Sequence, residues 1–311
     1  MQSLAVVFER PETLSLQPLE LIQPTAADVV VETEWTGISS GTERLLWSGR
    51  MPDFPGMGYP LVPGYESVGR VVEAGALSER RVGERVFVAG ARCYVDARAL
   101  FGGAARRLIV PGARAIPVGE QLGERAILLA LAATAHHAMR GGAVPDLIVG
   151  HGVLGRLLAR LAVAVGGFPA VWENNPARHA GAAGYTVIWP DEDVRRDYRA
   201  IYDVSGSHDA SLIDALITRL AKGGELVLGG FYDRVSFGYT AAFQREARLR
   251  IAAEFTPADL LAVTTMATDG TLALDDLITH RRPATEAADA YGIAFGNPAC
   301  VKMALDWRDC A

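Results

Sequence analysis

Two hydrophobic rhythms divide the chain. Over the first hundred or so residues, short apolar runs lie between Gly and Pro turns. Ala5-Val6-Val7-Phe8, Asp28 to Thr33, Ser67 to Val72 and Arg85 to Val88 read as strands, so this part is expected to be β-rich. Residues 49–64 depart from the rhythm: Gly49, Pro52, Pro55, Gly56, Gly58, Pro60, Pro63 and Gly64 punctuate them, with Phe54, Met57, Tyr59 and Leu61 between. An ordered loop with an apolar face is expected there, either walling a substrate or packing on its own domain. From Asp146 the spacing changes to alternating strands and helices. Strands are expected at 147–149, 169–173, 186–189, 200–204, 225–229 and 249–254, and helices at 153–165, 176–181, 209–221 and 240–246. That alternation predicts a doubly wound parallel sheet. Beyond Pro257, helices at 258–268 and 284–295 and a strand at 301–307 complete the chain.

The second region opens with a strand-to-helix glycine motif. Leu147 to Val149 runs into Gly150-x-Gly152-x-x-Gly155, the helical segment follows, and the next apolar run, Phe168 to Trp172, ends at Glu173. This is the layout of a dinucleotide site. Gly150 allows the tight turn, Gly152 lets backbone approach a pyrophosphate, and Gly155 lets helix pack on strand. Val153 and Leu154 bring the first helical N–H groups to the phosphates. Glu173 can accept from both ribose hydroxyls and would repel a 2′-phosphate, which favours NAD over NADP. Ligands in such sheets sit at the carboxyl ends of strands. Ser205, Gly206, Gly229, Gly230 and Phe231 are therefore further cofactor-lining candidates, with Asn174 beside Glu173.

Bulk composition narrows the function classes. The chain has 311 residues, enough for two domains with real cores. A net charge of −6 and the lack of any basic run argue against a nucleic-acid partner. The three cysteines, Cys93, Cys300 and Cys310, are scattered, which suggests a reducing cytoplasm and no thiolate zinc site. No signal peptide is recognisable at the N-terminus, and Ala126 to Ala138 is too short to span a bilayer; peripheral membrane contact stays open.

Three segments stand out as motifs: Gly64-Tyr-Glu-Ser-Val-Gly-Arg-Val71, Val82-Gly-Glu-Arg-Val86 and Leu131 to Ala138. They look like the Gly-His-Glu-x-x-Gly-x-Val segment, the Gly-Asp-Arg-Val turn and the inter-domain helix of the medium-chain dehydrogenase/reductase superfamily, which the chain resembles over nearly its whole length. The resemblance implies α/β architecture: a GroES-like β-barrel domain formed by 1–121 with 256–311, and a Rossmann doubly wound parallel sheet domain over 122–255. It also implies that Arg178 contacts the adenosine ribose and that Thr134 orients the nicotinamide. Longer strings, Trp35 to Pro52, Phe54 to Glu66, Leu147 to Arg156 and Asp203 to Gly206, are similar to the bacteriochlorophyll-pathway members of the superfamily. This implies NAD-dependent oxidation of the 3-(1-hydroxyethyl) group of a bacteriochlorophyllide to 3-acetyl. Phe54, Met57 and Tyr59 are the expected substrate contacts, and the superfamily's habits imply a homodimer.

The departures carry as much information. Zinc-dependent relatives use Cys, His and a further Cys or acid where this chain has Ser39, Tyr65 and Ala130, so no metal is expected. Glu66 is retained, and its expected role is to accept hydrogen bonds within the barrel. Without a metal, side chains must take the alcohol proton. Ser39 and Tyr65 are expected to bridge the substrate oxygen or relay its proton, with His137 or His136 finishing the relay. Two other readings fit the same residues: a zinc-free quinone or enoyl reductase of the same fold, and a non-catalytic nucleotide-binding regulatory protein.

Overall fold

The computed structural model describes residues 1–207, 209–232 and 234–310. They form two compact units, one of Met1–Ala130 with Asp275–Ala311 and one of Leu131–Leu274. The first unit begins with strands β1 (Gln2–Arg10), β2 (Thr13–Glu20) and β3 (Asp28–Ile38), followed by helix α1 (Thr42–Trp47). Strands β4 (Ser67–Ala74), β5 (Arg85–Val88), β6 (Arg107–Pro111) and β7 (Ala115–Pro117) follow, and helix α2 (Leu129–Met139) runs on into the second unit. The second unit then alternates: β8 (Leu147–Val149), α3 (Val153–Ala164), β9 (Ala170–Trp172), β10 (Thr186–Ile188), β11 (Tyr198–Asp203), α4 (Ala210–Ile217), β12 (Leu220–Leu228), α5 (Tyr239–Arg245), β13 (Arg248–Ile251) and α6 (Pro257–Thr268). The chain returns to the first unit with β14 (His280–Pro283), α7 (Ala287–Gly296) and β15 (Met303–Asp306).

In the first unit a seven-stranded sheet runs β14-β15-β3-β4-β5-β7, with β6 on β3, beside the β1–β2 hairpin. Strand β3 is long enough to pair with β15 near its end and with both β4 and β6 earlier, which curls the sheet towards a barrel. Its apolar residues Val29, Val30 and Val31 are buried with Val71, Val86, Val88 and Leu108. Glycine is obligatory at Gly69 on β4, where a Cβ would stand 2.1 Å from the Glu32 carbonyl oxygen.

The second unit carries a six-stranded parallel sheet of order β10-β9-β8-β11-β12-β13. Counted from β8, that is 3-2-1-4-5-6, the order of a dinucleotide-binding doubly wound sheet. Strand β8 is buried on both faces, as a covered parallel strand must be. Helix α3 buries Leu157, Leu158 and Leu161, each contributing roughly 2 kcal/mol.

Three local expectations are corrected. The helix expected over 176–181 is one turn of 3-10 helix, Pro176–Arg178. It cannot propagate because Gly181 is left-handed (φ +88°) and the carbonyls of residues 178, 180 and 181 turn to the Arg156 guanidinium. Helix α4 stops at Ile217, and by Leu220 the chain has entered β12. The unit limits also lie elsewhere: 122–130 stay with the first unit and 256–274 with the second. The reason for the latter is α6, whose Leu260 and Val263 are buried and whose Asp259 is hydrogen-bonded to His136 and His137 of α2.

Candidate active site and dinucleotide cradle

In the first unit, β3 ends at Ile38 and hands Ser39 to the start of α1, while Tyr65 leads into β4. Their hydroxyls lie 2.6 Å apart, and the Thr42 hydroxyl is 3.3 Å from Tyr65. Phe101 packs on the Tyr65 ring at 5.0 Å between centroids. Burial, with the neighbouring Glu66 charge second, pushes the Tyr65 phenol above its ordinary range. Tyr65 is therefore not a base; it is a neutral hydroxyl able to accept and donate together.

Two buried carboxylates flank this pair. Glu43 accepts from the Ser39 N–H at 2.9 Å and from the Tyr291 hydroxyl at 2.6 Å, and burial pushes it up to about 7. Glu66 accepts from Lys302 at 2.7 and 2.9 Å, and Lys302 gives its third donor to the Ile38 carbonyl at 3.2 Å. Glu66 is thus an ion-pair partner and more than the plain barrel acceptor expected. A Cβ on residue 37 would come 2.0 Å from Glu66 Oε2, so Gly37 is what lets the carboxylate lie there. Glu43, Tyr291 and Lys302 were missed in the sequence. Lys302, one of only two lysines and set inside an apolar strand, was the available signal.

Ser39 and Tyr65 satisfy each other, Ala130 is fully buried, and no group of three His, Cys, Asp or Glu able to hold a metal exists among the described residues. Two hydroxyls and a methyl group do not make the donor set of a catalytic zinc.

The expected substrate residues separate. Met57 and Tyr59 are half-buried against the core around Leu46, Leu61 and Tyr291, and the Tyr59 hydroxyl donates to the Leu46 carbonyl. Phe54 is 43% exposed. The breaker-rich loop therefore turns Met57, Tyr59 and the fully buried Leu61 inward and leaves Phe54 outward.

The second unit holds the glycine turn. Gly150 adopts φ +103°, and a Cβ there would stand 2.8 Å from Ser205 Cα. A Cβ on Gly155 would fall 1.9 Å from the Gly150 carbonyl oxygen, whereas Gly152 faces open space within 4 Å. Gly152 caps α3 without a side-chain hydrogen bond, so the first-turn N–H groups near Val153 and Leu154 are left for a ligand. The turn sits between β8 and β11, where the strand order reverses. Across it, the Ser205 hydroxyl and N–H donate to Asp203 Oδ1 at 2.7 and 3.0 Å, and Tyr232 donates to Oδ2 at 2.9 Å. Gly206 is left-handed (φ +65°), Gly229 and Gly230 follow β12, and Phe231 is 37% exposed. These residues gather at the carboxyl ends of β8, β11 and β12.

Glu173 ends β9 nearly buried, at 7% exposure. Its oxygens accept from the backbone N–H groups of His151 (3.0 Å) and Asn175 (2.8 Å). Each retains a second lone pair for a ribose hydroxyl. Asn174 is exposed and Arg178 half-buried in the following turn.

Thr134 and His137 lie on α2. His137 Nδ1 is 2.8 Å from Asp259 Oδ2, and His136 Nδ1 is 2.8 Å from Oδ1. Burial alone would raise Asp259, but the Thr256 donors and both histidines outweigh it and hold the carboxyl well below its usual range. As the carboxylate only accepts, both rings carry hydrogen on Nδ1, leaving Nε2 as the acceptor nitrogen when neutral. Asp259, the third residue of a Thr256 capping box, was not anticipated.

The profile of the alcohol dehydrogenase GroES-like domain matches residues 25–120. The 2-desacetyl-2-hydroxyethyl bacteriochlorophyllide A dehydrogenase of Rhodobacter capsulatus is 55% identical, covering 99% of both chains. Two solved structures share the fold. An alcohol dehydrogenase from Escherichia coli CFT073 complexed with NADH matches at TM-score 0.83 and 20% identity, over 98% of this chain and 99% of that one. A dehydrogenase from Sinorhizobium meliloti 1021 bound to NADP matches at TM-score 0.82 and 20% identity, over 99% and 100%. A GroES-like unit, a Rossmann sheet with its glycine turn and more than half its residues shared end to end lead to one assignment: the chain belongs to the medium-chain dehydrogenase/reductase superfamily, in the family of the 2-desacetyl-2-hydroxyethyl bacteriochlorophyllide A dehydrogenases.

Proposed function

We propose that this enzyme oxidises the hydroxyethyl substituent of a bacteriochlorophyllide-type substrate to an acetyl group, with NAD as acceptor and without a catalytic metal. The observation that carries the reading is the 55% identity over 99% of both chains to a dehydrogenase of that name. The preference for NAD rests on Glu173, whose carboxylate at the end of β9 favours ribose hydroxyls over a 2′-phosphate. Gly150, Gly152, Gly155 and the first turn of α3 would hold the pyrophosphate, and Ser205, Gly206, Gly229, Gly230 and Phe231 would line the remainder. NAD, when bound, supplies the hydride acceptor.

The chain's own task is the proton. Ser39 and Tyr65 form a hydroxyl pair that can hydrogen-bond a carbinol oxygen and pass its proton along, with Thr42 in reach of Tyr65. The demand on them is modest. Positive character at a carbinol carbon attached to a conjugated macrocycle is delocalised as hydride departs, so positioning and weak electrostatic stabilisation suffice. Thr134 and His137 remain assigned to nicotinamide orientation and proton relay, and Phe54, Met57 and Tyr59 to the substrate. Three free, buried cysteines suit a reducing cytoplasm. Among the described residues no helix is long and apolar enough to cross a membrane.

The test is anaerobic incubation with NAD and a hydroxyethyl bacteriochlorophyllide, following NADH absorbance and the red band of the pigment together. Matched growth of NADH and the acetyl product is expected. Turnover only with NADPH-dependent reduction of a quinone or enone would replace this reading.

A further inference from the structure

Arg156 follows the last glycine of the turn, in the first two turns of α3, and is only 5% exposed. A buried cation at the positive end of a helix is costly unless its donors are met. Here they are met by backbone carbonyls: Nε donates to His151 (3.1 Å), Nη1 to Gly181 (3.3 Å), and Nη2 to Arg178 (3.1 Å) and Ala180 (2.8 Å). No carboxylate is ion-paired with it among the described residues. The planar fork thus joins the glycine turn to the loop after β9.

His151, the residue between the first two glycines, completes the tie with every polar atom it has. Its N–H donates to Glu173 Oε2, and its carbonyl accepts from Arg156. Nδ1 lies 2.6 Å from the Arg178 carbonyl, which only accepts, so Nδ1 carries the hydrogen; Nε2 then accepts from the Tyr185 hydroxyl at 2.8 Å. The ring is fully buried, and burial lowers its pKa to about 4, which keeps it neutral and in that tautomer. Gly181 is part of the same device: a Cβ there would lie 2.2 Å from Arg156 Nη1.

Glu173 and Arg178, the two residues assigned to the adenosine ribose, are both fixed through this network, and neither Arg156 nor His151 needs to touch the cofactor. We propose that Arg156 and His151 are positioning residues for cofactor selection, a clamp that holds the 173–181 loop so that the enzyme prefers the unphosphorylated adenosine ribose. The inference rests on the NAD reading above and deepens it.

The experiment measures NADH and NADPH dissociation constants by quenching of protein fluorescence, and amide hydrogen exchange of the cofactor-free protein. Three variants are compared with the natural chain: Arg156→Met, Arg156→Lys and Gly181→Ala. Gly181 lies on an exposed turn, so its variant displaces the fork without emptying the interior, should Arg156→Met fail to fold. All three are expected to weaken NADH binding about tenfold and shrink the NADH-over-NADPH preference by a similar factor. Exchange across 174–181 should quicken while β8 and β11 stay protected. Arg156→Lys should not rescue, because one ammonium cannot meet four carbonyls. Unchanged NADH affinity and preference in Arg156→Met and Gly181→Ala, with the natural chain binding normally, overturns the clamp and leaves the function intact. A natural chain that does not bind NADH overturns the NAD reading and the clamp with it.

Discussion

The Tyr291 hydroxyl of α7 donates to the Glu43 carboxylate of α1 at 2.6 Å, with both side chains buried in the first unit. The partners facing Glu43 include another carboxylate, Glu66, as well as Lys302 and the Ser39 N–H. Burial outweighs the donors and pushes Glu43 up to about 7 from 4.5. The native state therefore binds more protons than the unfolded chain between those values. Stability from this group is full below about pH 4.5 and is lost as pH rises through 7, an effect of order 3 kcal/mol. Glu43→Gln should flatten that slope. Denaturant midpoints of both proteins from pH 5 to 8 test this, and parallel curves would refute it.

Lys302 sits 2% exposed between Glu66 and the Ile38 carbonyl. Removing it leaves a buried carboxyl without its cation. Lys302→Met should cost about 3–5 kcal/mol in urea unfolding, and adding Glu66→Leu should recover much of the loss. A single variant within 1 kcal/mol of the natural protein would show that Glu66 is protonated and indifferent to its neighbour.

Tyr65→Phe removes one member of the hydroxyl pair and keeps the ring on Phe101. If the pair carries the proton, kcat should fall about 100-fold with little change in KM for NAD. Ser39→Ala should behave alike, and the double variant should be no worse than either alone. Unaltered turnover in Tyr65→Phe would make its hydroxyl a filler of the vacated ligand position.

Exhaustive dialysis against a chelator should leave turnover unchanged, and elemental analysis of active protein should find zinc far below one per chain. Activity that disappears on chelation and returns with zinc would sink the metal-free assignment.

Sequence pattern alone was enough for the class of each region. Alternating strands and helices after Asp146 predict a parallel doubly wound sheet, and Gly150 and Gly155 are legible because a tight turn and a close helix contact each exclude a Cβ. Ser39 and Tyr65 stand out through the family resemblance and not through pattern, and the fold brings their hydroxyls within 2.6 Å of each other. The 176–181 segment misled because helix propensity says nothing about a guanidinium twenty residues earlier that claims its carbonyls. The inward turn of Met57 and Tyr59 was not legible for a related reason: breakers mark a loop but do not say which way its side chains turn. What tertiary structure decided was the pairing of charges and hydroxyls far apart in the chain: Glu66 with Lys302, Glu43 with Tyr291, Asp259 with His136 and His137, Arg156 with the 178–181 carbonyls. Local periodicity reports which residues avoid water, whereas a buried polar group finds its partner only when packing brings distant segments within hydrogen-bond reach.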